Sequence, residues 1–137
     1  MRILLGLVLA CTLVAGASAT DFERGAKESE LAIAYTKCGM YADISNLDVE
    51  KNLAIPEQDA KKFRLLALNH WRASNKLYGL VQSRDDEILD FAGFVSSVEA
   101  IQWDEHPELN KSQNDGVNPG TAVYQRANCG LLLQSAQ

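Results

Sequence analysis

The sequence predicts an all-α fold, a small four-helix bundle closed by one disulfide. Three observations carry this. Apolar residues recur at helical spacing in four segments beyond residue 20, turn-forming residues separate the segments, and Cys38 and Cys129 stand in the first and last of them. These cysteines count as a pair because of what precedes them. Met1-Arg2 leads into an apolar run from Ile3 to Ala15, and small residues follow to Ala17-Ser18-Ala19. A basic start, an apolar centre and an Ala-x-Ala end are the parts of a secretory signal peptide, residues 1–19. The run is short for a membrane span. Cleavage after Ala19 removes Cys11 and leaves one domain, residues 20–137. The alternative is Val8-Leu9-Ala10-Cys11 as a lipoprotein box, with Cys11 retained and lipidated. Leu9 stands where that box prefers a small residue, and the apolar run continues past Cys11.

The first helix is expected from about Phe22 to Ser45, because Leu31, Ala34, Cys38 and Tyr41 recur at spacings of three, four and three. Asn46 to Ile55 reads as a connecting loop. Pro56 suits the first turn of a second helix, with Glu57 and Asp59 at its positive end. That helix is expected to run to Val81, with Phe63, Leu66, Ala67, His70, Ser74 and Leu77 on one arc. Ser83 to Asp86 resembles a capping box opening a third helix that carries Ile88, Phe91, Ala92, Val95 and Val98 inward. Asp104 to Gly120 lacks apolar periodicity and reads as a long loop. Asn118-Pro119 then opens a last helix to about Leu133, striped by Val123, Tyr124, Ala127 and Leu131.

Composition narrows the function. Once Arg2 leaves with the signal, twelve basic and eighteen acidic residues remain, a net charge of −6. Nucleic-acid binders concentrate Lys and Arg, so no nucleic-acid partner is expected, and anionic membrane surfaces repel such a chain. In an oxidising compartment Cys38 and Cys129 have one possible connectivity, tying the first helix to the last. The expected location is therefore periplasmic or extracellular, with no stable membrane insertion.

Candidate sites are few. His70 lies in the apolar arc of the second helix and Glu99 in that of the third, which makes them a candidate buried polar pair. Asp104, Glu105, His106 and Glu108 form the densest group of ligating side chains, without the spacing of a cation loop. No Cys-x-x-Cys, His-Glu-x-x-His, phosphate loop or Gly-x-Ser-x-Gly elbow is present, so no catalytic residue, metal or cofactor is expected. Asn110-Lys111-Ser112 matches the N-glycosylation pattern. On the back of the second helix, Leu65 and Leu68 stand among Arg72 and Lys76, the candidate partner-binding patch. Gly93-Phe94-Val95 before Val98-Glu99-Ala100 resembles a Gly-aromatic helix of small envelope immunity proteins, but the cysteine placement departs from that pattern and no family follows.

These residues lead to an exported protein-binding module, such as an inhibitor or immunity-type protein. One alternative is a carrier of a small apolar ligand, with His70 and Ser74 as polar handles. The other is a carboxylate-based hydrolase using Glu99 or the acidic loop.

Overall fold

In a computed structural model of the chain, residues 18–47, 55–80, 82–110 and 118–136 are described. They form five α-helices: α1 Ala19–Asn46, α2 Glu57–Leu77, α3 Arg84–Glu105, α4 Pro119–Arg126 and α5 Cys129–Ser135. A single 3-10 turn, Pro107–Asn110, follows α3. The all-helical expectation holds among the described residues, and the disulfide is present, but the count of four does not hold. Residues 1–17 of the expected signal peptide, Cys11 included, lie outside the described residues, as do 48–54 of the first connector, Val81, and 111–117 of the expected long loop.

α1 is the central helix. Between Ala32 and Ile44 only Lys37 and Asp43 carry charge, and a helix apolar on most sides needs neighbours on most sides. Tyr35, Cys38, Met40, Tyr41, Ala42 and Ile44 are all buried. α2 packs antiparallel against it. At one end the Ser74 hydroxyl donates to the Gly25 carbonyl over 2.9 Å. At the other, Arg64 pairs with Asp43, and Gly39 lets the Phe63 side chain lie against the α1 backbone. α2 ends at Leu77, short of the expected Val81, and Gly79 takes a φ of 73° to turn the chain.

α3 runs back alongside, antiparallel to α2. The expected cap is there: the Asp86 amide donates to the Ser83 hydroxyl over 3.3 Å. Its helical register continues to Glu105, and the 3-10 turn then buries Leu109, so the first part of the expected long loop is ordered helix. α4 opens as expected, with the Thr121 amide donating to Asn118 Oδ1 over 3.1 Å and Pro119 in the first turn.

The single last helix expected from the stripe is broken in two. Asn128 sits at φ 55°, in the left-handed region that Asn tolerates better than most residues. The break turns Cys129, which lies off the α4 stripe, into α1, where it bonds Cys38 across 91 residues of sequence. Both cysteines are buried, so the bridge is part of the core that joins α1, α2, α4 and α5.

Candidate functional site

α3 is the helix least absorbed into this core. Its N-terminal half is held to α2 by Arg72, which donates from Nε and Nη2 to Glu87 Oε1, and by Trp71, whose ring lies tilted against Phe91 and Phe94. Its C-terminal half is held to α1 through the Tyr41 hydroxyl, which donates to Gln102 Oε1. Between these anchors the helices do not close. A cleft of about 420 Å³ remains, walled by Thr36, Met40 and Asp43 of α1, Arg64 and Ala67 of α2, and Phe91, Ala92, Val95 and Glu99 of α3.

Of the third-helix residues expected to point inward, only Val98 is buried among the described residues. Phe91 and Val95 are half-covered, but Ile88 stays 59% exposed on the cleft wall and Ala92 is also exposed. Leu89 beside them is 70% exposed. Ser96 and Ala92 are too small to span the gap to α1 and α2.

Glu99 and His70 do not meet. His70 turns toward α1, where its Nδ1 lies 2.6 Å from Glu28 Oε2 and its ring stacks on Tyr35. Glu99 lies beside the Asp43–Arg64 pair, with Arg64 nearly two turns before His70 on α2. Facing one helix apart, the two side chains satisfy separate needs, and the expected buried pair is replaced by a His70–Glu28 contact. Burial holds the Glu99 carboxyl above the usual carboxylate range, the Asp43 charge adds to this, and Arg64 opposes it. Ser74 is likewise committed to Gly25, so neither expected polar handle faces the cleft. The polar groups there are Thr36, Asp43, Arg64 and Glu99.

The basic patch on α2 is divided. Leu65 and Lys76 are exposed, Leu68 is half-buried, and Arg72 is engaged by Glu87. The acidic group after α3 is also dispersed: Glu105 accepts from Gln102 and lies 3.9 Å from Lys37, while Glu108 sits between His106 and Arg126. Asn110 is exposed at the end of the 3-10 turn.

A second hollow of about 340 Å³ lies between Tyr41, Gln102, His106 and Arg126. Burial, with the charges of Glu105 and Glu108, pushes the Tyr41 hydroxyl up to about 12, so it remains a neutral donor to Gln102. That network joins α3 to α1. Among the described residues no buried side-chain nitrogen or oxygen lacks a partner, and no group of three or more His, Cys, Asp or Glu side chains could hold a metal ion.

The acidic residues of the third helix were visible in the sequence, but the low burial of that helix was not. Asp85, Asp86, Glu87, Asp90, Glu99, Asp104 and Glu105 against Arg84 give α3 a net charge of −6. The other residues of 20–137 balance, eleven acidic against eleven basic. The whole charge excess of the chain thus sits on its least buried helix.

Comparison with known protein families, characterised proteins and solved structures finds no match to the chain.

Proposed function

We propose that this chain is an exported protein-binding module and that its partner docks on the cleft side of α3. The carrying observation is the open apolar cleft of about 420 Å³ with Ile88 exposed in its wall and Leu89 exposed next to it on α3. Single exposed leucines are ordinary, but apolar residues grouped along a cleft are the usual mark of a surface that is covered in a complex. Export is supported by the signal-like residues 1–19 and by a disulfide, a bond that persists in oxidising compartments. Among the described residues no helix is long and apolar enough to cross a membrane.

A small apolar ligand in the same cleft is the second reading, because the volume falls within the range of ligand pockets. A ligand within the cleft would leave Leu89 and Trp103 uncovered, which favours the larger partner. Site-specific photocrosslinkers at Ile88, Ala92 and Leu65, introduced in the native host, test the docking reading. Adducts to one protein from positions 88 and 92, absent at 65 and lost with Val95→Asp, are expected. Equal labelling at all three positions rejects the surface. A lipid that co-purifies and is displaced by Val95→Asp supports the second reading instead.

A further inference from the structure

Resting on that docking surface, we infer that the partner presents a basic amphipathic helix to α3. At 100° per residue, Ile88, Leu89, Ala92 and Trp103 share with Asp85 and Glu99 an arc of roughly 100°. Three apolar residues, Ile88, Leu89 and Ala92, thus lie between the acids Asp85 and Glu99 on one open stripe that ends at Trp103, with Asp43 across the cleft on α1. Arg72 is taken up by Glu87, off the stripe, and Arg64 offsets Asp43 and part of Glu99, so among the described residues Asp85 is the acid of the stripe with no cation paired to it. From Asp85 to Trp103 the stripe measures roughly 27 Å, the length of a helix of about eighteen residues. An apolar stripe on a partner helix, laid in a groove with its flanking charges complementary, is a common mode of recognition.

The charge placement also chooses among occupants. A second copy of this chain would set two helices of net charge −6 face to face, which long-range repulsion opposes. Anionic lipid surfaces and nucleic acids are opposed for the same reason. A helix with lysines or arginines flanking leucines meets both properties of the stripe.

The test uses the purified protein and two synthetic eighteen-residue peptides with the same leucine face, one flanked by lysines and one by glutamates. Neither contains tryptophan, and the protein carries Trp71→Phe, so that Trp103 emission reports binding from the stripe itself. The lysine peptide is expected to bind about tenfold or more tighter than the glutamate peptide, and to weaken about tenfold between 50 and 500 mM salt. The paired change Ile88→Ser and Leu89→Ser, at exposed positions, is expected to weaken it by about tenfold without altering the helical circular dichroism. Asp85→Asn with Glu99→Gln should do the same, and Leu65→Ser should change nothing.

If both peptides bind equally and both depend on Ile88 and Leu89, the charge inference fails while the docking surface stands. If the lysine peptide binds but ignores Ile88 and Leu89, it responds only to net charge and the inference is overturned. Absence of binding by either peptide overturns it too, and the crosslinks at positions 88 and 92 then decide the docking surface separately.

Discussion

Gly120→Ala should destabilise the protein, although helix propensity alone favours the change. Gly120 is the second residue of α4, and alanine in a helix is preferred over glycine by about 0.5–1 kcal/mol. Its hydrogen, however, faces the backbone of α1. A Cβ at this position would lie 2.6 Å from the Ser45 nitrogen, 2.8 Å from the Tyr41 oxygen and 2.9 Å from the Ile44 carbonyl carbon. None of these atoms can swing aside, so α4 must withdraw by roughly 0.6–0.8 Å to regain ordinary contact distances. Withdrawal stretches the 2.6 Å hydroxyl bond between Ser45 and Thr121 and the Asn118 amide contacts of 3.3–3.4 Å to the Ser45 and Ile44 carbonyls.

Overpacking costs about 1–3 kcal/mol and a weakened buried hydrogen bond about 1 kcal/mol, against the propensity gain of up to about 1. The net loss is about 1–3 kcal/mol. With a urea m-value of about 1.5 kcal/mol/M, the unfolding midpoint falls by about 0.7–2 M. Gly93→Ala is the matched control, because a Cβ there meets nothing within 4 Å. It should raise the midpoint by about 0.5 M. If both substitutions stabilise, α1 and α4 do not approach as closely as described, and the reasoning fails.

Replacing Cys38 and Cys129 together by serine should lower stability by about 4–5 kcal/mol, since the bridge closes a separation of 91 residues. A midpoint shift worth under about 1 kcal/mol would contradict this, as would free thiols at both positions on titration of the unfolded, unreduced protein. Glu99→Gln should stabilise the protein at pH 7 and have little effect near pH 3. A carboxyl raised above its unfolded value favours the fold when protonated, and that stability is lost as pH rises from the unfolded value through the folded one. Equal stability of the two proteins across that range, by urea titration at each pH, would refute it. Asn128→Gly should gain up to about 1 kcal/mol by relieving a left-handed residue, and a loss would show that the Asn side chain stabilises the break.

The starts of α3 and α4 were legible because local chemistry decides them: Ser83 before Asp85-Asp86, and Asn118 before Pro119. The pairing of Cys38 with Cys129 was legible once Cys11 was set aside. The break at Asn128 was hidden, since Ala127-Asn128-Cys129 contains no Gly or Pro and the apolar stripe crosses it. It follows from a tertiary demand, the aim of Cys129 at α1. Reading one stripe on α1 also understated its burial. The sparse charge from Ala32 to Ile44 was the better signal. His70 lies on the expected arc, but its partner Glu28 is on the helix before it, and sequence spacing does not tell which neighbour a half-buried imidazole meets.

The cleft itself was beyond the reach of periodicity, which specifies a direction for Ile88, Ala92 and Val95 but no distance to what they face. The distance is set by how α3 is anchored near its two ends, by Trp71 and Glu87 at one and by Tyr41 and Gln102 at the other. With Ala92 and Ser96 between the anchors, no side chain bridges to Met40 and Ala67. Ala92→Leu supplies one. Burying about 40–60 Å² of added apolar surface at about 25 cal/mol/Å² should stabilise the fold by about 1–1.5 kcal/mol, less about 0.2 for helix propensity. The same side chain occupies the docking surface, so binding of the lysine peptide should weaken about tenfold while the protein becomes more resistant to urea. Opposite movements of stability and binding identify the open cleft as retained for a partner. A variant that is stabilised but binds as before would place the partner elsewhere, and one that is destabilised would show that α3 already packs as tightly as its neighbours permit.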